Sequence, residues 1–90
     1  MKLEGTLFQV RVWKEMMKIP KGKTITYGEL AKRVGKPKAA RAVANVCAAN
    51  KYWPTVPCHR VVANNGIGGF SGPGGVKRKR ELLKKEGITF

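Results

Sequence analysis

The residues best suited to chemistry stand together in the segment 56–62, where Cys58 is followed directly by His59 and Arg60. A cysteine is a strong nucleophile as a thiolate, and adjacent cations, a base or a helix N-terminus favour that form. Because adjacent residues of an extended segment point to opposite sides, proton transfer from Cys58 to His59 would need a bridging water. Taken alone, the segment favours a small core cysteine beside a hydrogen-bonded structural histidine slightly over an activated thiol.

A carboxylate that orients His59 would have to be a glutamate, because the chain contains no aspartate. The candidates are Glu4, Glu15, Glu29, Glu81 and Glu86. Metal-binding residue types are scarce, since only two cysteines, Cys47 and Cys58, accompany this single histidine. A structural zinc site usually takes four such ligands. We therefore expect no metal, and the sequence indicates no cofactor.

The charge balance of the chain is strongly basic. Its 90 residues include 19 Lys and Arg against five acidic residues, for a formal net charge of +14, and 42% of them are hydrophobic. This length and composition favour one packed domain over residues 1–90. Such a basic surface is typical of proteins that bind nucleic acid, because phosphate contacts supply much of their affinity. A membrane-surface protein and a basic scaffold are the alternatives.

The sequence gives no sign of a targeting or membrane-spanning segment. The N-terminus lacks the pattern of a signal peptide, and no apolar run approaches the roughly 18 residues that suggest a membrane span. We expect a cytoplasmic protein, nucleoid-associated if the source is a prokaryote, with no membrane partner. In a reducing compartment Cys47 and Cys58 are expected to stay free thiols. We also expect a monomer.

The elements that position these residues follow from hydrophobic spacing and helix-end signals. Apolar residues at helical spacing predict a helix over residues 6–19, ended by Pro20. Thr26 and Glu29 then form the capping-box pattern in which each side chain bonds the other residue's backbone. This pattern opens a second helix, which is expected to stop at Gly35.

A third helix is predicted over residues 38–49, with Pro37 at its first position, and the short turn before it is typical of a helix-turn-helix. One side of this helix carries residues of the kind found in cores, namely Ala39, Val43, Val46 and Cys47. The other side carries two cations, one amide and methyl groups, namely Lys38, Arg41, Ala42, Asn45 and Ala49. Small side chains let such a face approach nucleic acid. The alternative is that the alanines merely favour helix and Arg41 is solvated.

The last third of the chain predicts a small wing and a final helix. A β-branched run over residues 60–63 is followed by Asn65-Gly66, a hairpin signal. A glycine-rich loop over residues 68–75 precedes a basic helix over 76–86, with Gly87 just past its end. The chain is therefore predicted to be mostly α, a winged helix-turn-helix-like DNA-binding domain with a small β-hairpin wing.

Several motifs, in the correct order, resemble one protein family. Pro57-Cys58-His59-Arg60-Val61-Val62 looks like the active-site motif of the O6-alkylguanine-DNA alkyltransferases, or methylated-DNA–protein-cysteine methyltransferases. Segments 25–31 and 35–43 resemble the family's helix opening and recognition helix. Asn50 stands where the family has its hinge asparagine, and residues 70–72 and 79–87 also fit. The resemblance covers the chain from Thr6 onward and is to the family's C-terminal active-site domain.

This resemblance implies direct-reversal DNA repair by a single-turnover enzyme. The alkyl group of O6-alkylguanine in duplex DNA would move irreversibly to Cys58 after the damaged base is flipped out of the stack. His59 would take the thiol proton through water, and Glu86 would orient the imidazole. Tyr27 would donate a proton toward the departing guanine, with help from Lys79.

The resemblance also implies which residues bind DNA and the flipped base. Arg41 would enter the duplex from the minor groove and fill the space of the extruded base. Further DNA contacts would come from Lys38, Ala42, Asn45 and Tyr27. The guanine pocket would be formed by Asn50, Val61, Phe70 and Ser71. The expected partner is therefore double-stranded DNA that contains O6-alkylguanine.

The sequence departs from the family at several places. Phe70 stands where many relatives carry Tyr, and Ala44 replaces a usual Gly in the recognition helix. Tyr52 and Trp53 lie in a run that is more proline-rich in the family, so they are expected to change the width of the pocket. Because only residues 1–5 precede the matching region, we expect the family's larger N-terminal domain to be absent.

Three other functions remain as alternatives. Non-enzymatic alkyltransferase-like proteins bind alkylated DNA and flag it for other repair, but they typically carry Trp where this chain has Cys58. A winged-helix transcription or nucleoid protein fits the composition and leaves the Cys58 motif without a purpose. A cysteine hydrolase is disfavoured by the direct adjacency of His59 and by the basic surface.

Overall fold

The computed structural model of the protein describes residues 2–70 and 74–90. Four helices lie in this part of the chain: α1 Leu7–Met16, α2 Tyr27–Arg33, α3 Ala40–Ala48 and α4 Gly75–Lys85. Two short strands, β1 Ile25–Thr26 and β2 Val61–Val62, and one 3-10 helix, Cys58–Arg60, complete the elements. The expected pocket residue Ser71 lies outside the described residues. The mostly α, winged helix-turn-helix-like fold class is confirmed.

Helix α1 begins with a reciprocal cap. The Thr6 hydroxyl accepts from the backbone N–H of Gln9 at 3.1 Å, and the Gln9 side-chain oxygen accepts from the Thr6 N–H at 2.9 Å. These bonds satisfy two backbone donors that an uncapped helix would leave open. Helix α1 buries Val12, Trp13 and Met16 against the rest of the fold. It ends earlier than the predicted residue 19.

The helix-turn-helix is formed by α2 and α3. The Thr26 hydroxyl caps α2 by accepting from the Glu29 N–H at 3.0 Å, as predicted, and Gly35 has a positive φ of 79° just past its end. The predicted return bond from the Glu29 side chain to the Thr26 backbone is not found among the described residues, where the Glu29 carboxylate instead lies 3.9 Å from Arg33. The prediction of Pro37 as the first residue of α3 is wrong. Residues 36–39 instead form a turn, closed by a 2.9 Å bond from the Ala39 N–H to the Lys36 carbonyl. Proline suits the second position of such a turn, because its φ is already set.

The wing is smaller than the predicted hairpin. Strand β2 pairs with β1 in parallel, with Ile25 opposite Val61, so the β-branched run is used in a contact with the start of α2. Antiparallel pairing after β2 is limited, within the described residues, to one bridge between Ala63 and Gly66. The turn therefore centres on residues 64–65 rather than on Asn65-Gly66. A buried β2, paired to β1, leaves little strand for a hairpin.

One hydrophobic core joins α1, α2, α3 and β2. The indole N–H of Trp13 donates to the Val46 carbonyl at 3.2 Å, which ties α1 to α3 inside this core. Helix α4 contributes the buried Leu83 and ends, as predicted, before Gly87 with a positive φ of 88°. In the described part of the chain, none of the helices has the length and hydrophobicity that crossing a membrane requires.

Candidate active site

Cys58 lies at the edge of a cavity between α2, α3 and the chain that leads to α4. It is the first residue of the 3-10 helix and is 7% exposed. The cavity has a volume of about 380 Å³. It is lined by Tyr27, Ala44, Cys47, Ala48, Cys58, Gly69 and Phe70. The thiol is therefore buried in the fold and still borders an open space large enough for a small planar molecule.

The surroundings of the thiol act on its ionisation in opposite directions. Burial raises the pKa of Cys58, because a thiolate loses its hydration there. A hydrogen bond from the Asn50 side chain and the charge of Lys79 both act to lower this pKa, but burial prevails. The neutral thiol is therefore favoured at rest, and nucleophilic attack requires a group that takes its proton.

A single carboxylate holds both residues that follow Cys58. Glu86, at the C-terminal end of α4, accepts from His59 Nε2 at 2.8 Å. It also accepts from Arg60 Nε at 2.9 Å and from Arg60 Nη2 at 3.1 Å. Arg60 completes its contacts by donating to the Ile19 carbonyl at 3.0 Å. Of the five glutamates, it is Glu86 that the structure brings to His59.

The charge of Glu86 is strongly stabilised. Burial alone would raise its pKa, but hydrogen bonds from Arg60, from His59 and from the Gly22 N–H outweigh burial and lower this pKa to about 2. Its side chain is only 10% exposed, so these bonds are poorly screened by water. Glu86 therefore remains an anion at any pH near neutrality and fixes the position of both partners.

Trp53 contacts the other nitrogen of His59. Its indole N–H lies 3.1 Å from His59 Nδ1, and the two rings meet edge to face at 6.1 Å. An indole N–H can only donate, so Nδ1 must accept. The proton of a neutral His59 is then on Nε2, where it is donated to Glu86. The Trp53 ring also packs edge-on against Phe70, at 6.0 Å, in the cavity wall.

Lys79 fastens the loop that forms one wall of the cavity. Its side chain is completely buried, and Nζ donates to the Val61 carbonyl at 2.7 Å and to the Gly69 carbonyl at 2.8 Å. Burial lowers the pKa of Lys79 to about 8, and the charges of the Cys47 and Cys58 thiolates, if formed, oppose this shift. Lys79 therefore joins the two ends of segment 61–69.

Tyr27, the first residue of α2, forms another part of the cavity wall. Burial raises its pKa, and a backbone hydrogen bond from Gly69 partly opposes that shift. The Tyr27 ring is packed tightly against Gly68, whose φ is 74°. A Cβ on Gly68 would lie 3.2 Å from the ring and from the hydroxyl oxygen, and 3.1 Å from the Ala63 nitrogen. Glycine is needed here for both its backbone conformation and the space.

Asn50 organises the chain between α3 and Cys58. Its side-chain N–H donates to the Val56 carbonyl at 2.8 Å, and its oxygen accepts from the Tyr52 N–H at 2.9 Å. Together with its hydrogen bond to Cys58, these contacts place Asn50 at the turn that delivers the thiol to the cavity. Of the predicted pocket residues, Phe70 lines the cavity, Asn50 bonds Cys58, and the buried Val61 meets Lys79 through its carbonyl; their contact with a guanine stays a prediction.

The exposed face of α3 lies next to the cavity. Lys38, Arg41, Ala42 and Asn45 are all exposed, and the predicted core residues Val43, Val46 and Cys47 are buried. Ala39, also predicted for the core, stands just before α3 and is only half-buried. Arg41 lines a second groove of about 290 Å³ with Gly28 and Asn64. Tyr27 and Ala44 line both this groove and the cavity that holds Cys58, so the two spaces adjoin.

Sequence reasoning missed two features of the site. Trp53 was expected only to change the pocket's width, yet it hydrogen-bonds His59, and no local pattern indicates a contact between these residues. Cys47 was assigned to the core; it is buried and also lines the cavity, and burial raises its pKa to about 12. Its helical spacing from Ala44 and Ala48 was the available signal, because α3 presents that side to Cys58.

Comparisons with known proteins agree with this geometry. The family profile described as "6-O-methylguanine DNA methyltransferase, DNA binding domain" matches residues 7–88. The "Bifunctional transcriptional activator/DNA repair enzyme Ada" of Escherichia coli is 49% identical over 93% of this chain and 23% of its own length. The "Methylated-DNA--protein-cysteine methyltransferase" of Mycobacterium bovis is 48% identical over 93% of this chain and 50% of its own. The chain spans about half or less of these relatives.

Solved structures show the same fold. The Mycobacterium tuberculosis OGT in complex with DNA superposes with a TM-score of 0.90 and 47% identity, over 96% of this chain and 52% of that one. The S. pombe Atl1, in complex with damaged DNA containing O6-carboxymethylguanine, has a TM-score of 0.82 and 33% identity, over 96% of this chain and 81% of that one. The chain belongs to the family of the 6-O-methylguanine DNA methyltransferase DNA-binding domain.

Proposed function

We propose that this chain is the active-site domain of a DNA-repair alkyltransferase, and that it moves the alkyl group of O6-alkylguanine in duplex DNA irreversibly to Cys58. The observation that supports this proposal most is the position of Cys58, which borders a cavity of about 380 Å³ next to the exposed Arg41 of α3 and Lys38 of the preceding turn. A sealed core cysteine would have no route to a substrate. The DNA complexes among the related structures support the same partner.

The damaged base has to leave the duplex before Cys58 can reach it. An atom inside a stacked helix is inaccessible, and extruding a nucleotide costs a few kcal/mol. Arg41 is suited to lower this cost, because it is exposed and lines the groove that adjoins the cavity. A side chain inserted into the base stack replaces part of the lost stacking. Lys38 and Asn45 flank Arg41 and would contact the DNA, with the small Ala42 allowing close approach.

The transfer exchanges one bond for another. The Cys58 thiol proton passes through water to His59 Nδ1, and Glu86 stabilises the resulting imidazolium. The sulfur forms a bond to the alkyl carbon as the bond from that carbon to O6 breaks. Tyr27 donates a proton toward the guanine, which leaves unmodified. The imidazolium then returns its proton to Tyr27 through solvent. The thioether is not hydrolysed, so each molecule reacts once.

Lys79 supports this step through the walls of the pocket. Because it holds the carbonyls of Val61 and Gly69, it fixes the segment whose backbone would face the edge of the flipped guanine. Phe70 offers its ring to the base, and the assignment of Ser71 to the pocket rests on the family resemblance. The Lys79 ammonium also lies 5.9 Å from the centre of the Tyr27 ring, where its positive charge favours proton donation by the Tyr27 hydroxyl.

A second candidate function has its own support. The related Atl1 structure contains damaged DNA with O6-carboxymethylguanine and covers 96% of this chain, so binding of alkylated DNA by this fold supports a function limited to binding. In this chain the residue at the cavity is a cysteine with a proton-accepting imidazole next to it, a pair that binding alone does not need. Transfer is therefore the function that the site supports best.

One experiment separates the two functions. The protein is mixed with a duplex that contains one O6-methylguanine, and intact and peptide masses are measured. Transfer predicts one added methyl group on the peptide with Cys58 and none on Cys47, which is the matched control because it lines the same cavity. Cys58→Ser should bind the same duplex and gain no mass. Binding by the unchanged protein without added mass would refute transfer and establish the second function.

A further inference from the structure

The proposed transfer requires a free lone pair on His59, and the free protein does not offer one. Nε2 faces the carboxylate of Glu86 at 2.8 Å and carries the ring proton. Nδ1 is the only other basic position, and it accepts from the Trp53 indole at 3.1 Å. A proton from Cys58 therefore has no vacant site on the imidazole while this hydrogen bond persists.

The surroundings hold Trp53 in this arrangement. His59 is only 4% exposed, so its contacts are shielded from competing water. The Trp53 ring rests edge-on against His59 on one side and against Phe70 on the other. Phe70 lines the cavity, and Trp53 therefore connects the pocket wall to the base that serves the thiol.

We infer that Trp53 is a positioning residue that occupies the basic nitrogen of His59 in the free protein, so that deprotonation of Cys58 requires the indole to withdraw. The inference rests on the proposed transfer to Cys58. A base that enters the cavity and displaces Phe70 would also displace Trp53, because the two rings are in contact. The nitrogen would then be released to water when a substrate is present, and the thiol would stay protonated when it is not.

The hydrogen bond itself can be observed, because the chain contains a single histidine. Nuclear magnetic resonance of the ¹⁵N-labelled full chain should show His59 with its proton on Nε2. It should also show scalar coupling between His59 Nδ1 and Trp53 Nε1 across the bond. A proton on Nδ1, or no coupling in a folded protein, would overturn the inference. This measurement does not depend on any reaction.

The kinetic test removes the donor and keeps the ring. Trp53→Phe, and replacement of Trp53 by benzothienylalanine, which has the shape of tryptophan without the N–H, are compared with the unchanged protein. Loss of a hydrogen bond of ordinary strength should speed methyl transfer from the damaged duplex by about three- to tenfold. Trp13→Phe is the matched control, because its indole N–H donates to the Val46 carbonyl. It should not accelerate transfer.

Each result of the kinetic test either supports or overturns the role inferred for Trp53. Acceleration in the benzothienylalanine variant supports the inference, since structural damage does not speed a reaction. An equal or lower rate in that variant, with an unchanged thermal unfolding midpoint, would overturn it. If the unchanged protein transfers no methyl group, the proposed function fails separately. The rate at which iodoacetamide alkylates Cys58 then gives the same comparison without DNA, read by peptide mass against Cys47.

Discussion

The end of α4 and the exposed face of α3 satisfy their charges in different ways. At the end of α4, Glu86 accepts from His59 and twice from Arg60, all within 3.1 Å. Arg41 on α3 and Lys38 in the turn before it are exposed, and no ion pair reaches them from the described residues. The charges around Glu86 are paired within the fold, whereas those beside Arg41 are solvated and available to an external anion.

The paired charges are expected to act on folding stability, and the solvated ones on DNA binding. The paired charges at Glu86 have lost most of their water, so breaking the cluster should cost folding free energy. The solvated cations of α3 cost little in the free protein and acquire their value against a phosphate backbone. Substitutions in the first region are therefore expected to act on unfolding, and those in the second to act only when DNA is present.

The largest expected effect follows from Glu86→Gln. The amide keeps the size of the side chain but leaves Arg60 without its counter-charge, so the free energy of unfolding should fall by about 3 kcal/mol. Glu81→Gln is the matched control on the same helix: its pair with Arg78 is 3.6 Å long and exposed, and such pairs contribute under about 1 kcal/mol. Urea denaturation measures both. Equal losses would show that the two regions are not distinct.

The pH dependence of that loss has a definite sign. The pKa of Glu86 is lowered in the folded protein, from 4.5 to about 2, so its charged form stabilises the fold. This contribution is complete above pH 4.5 and is lost as the pH falls toward 2. Between these values the unchanged protein should lose more stability than Glu86→Gln does. Parallel acid-denaturation curves would contradict the assigned cause.

Local signals in the sequence predicted most of the helical fold. Thr26 as a cap, Gly35 and Gly87 as helix ends, and the buried side of α3 depend on residues within one or two turns, and each is found. Pro37 is a local failure, because it begins a turn rather than α3. The larger failure involves pairing at a distance. The β-branched run at Val61 suggested a hairpin, but β2 pairs with β1, which lies 36 positions earlier in the chain.

In the site, too, the residues evident from local sequence differ from those that depend on contacts between distant positions. Cys58 and its neighbours were evident from residue type, and the family resemblance supplied Glu86. Residue types alone left five glutamates equivalent, because contact between His59 and Glu86 spans 27 positions. Trp53 is six positions from His59 and gave no signal, since the fold of the intervening chain decides whether the indole N–H meets the ring nitrogen.

Arg41→Ala tests whether the exposed face of α3 acts on DNA rather than on stability. If Arg41 supports base extrusion, its loss should slow transfer in duplex DNA by about 30-fold, which corresponds to roughly 2 kcal/mol of an extrusion cost of a few kcal/mol. Reaction with free O6-alkylguanine base, and urea stability, should hardly change. Arg11→Ala is the matched control, because that exposed arginine lines a different groove beside α1. Equal slowing with duplex and free base would refute the assignment to extrusion.

Lys38→Ala should give the smallest effect, which is expected in DNA binding alone. Lys38 is exposed in the turn before α3, so its removal should leave urea stability unchanged. If it meets one phosphate, the slope of log affinity against log salt should become shallower by about 0.9. Lys14→Ala, an exposed lysine on α1, removes the same charge elsewhere. Should both variants change the slope alike, the general charge of +14 rather than the α3 face would guide binding.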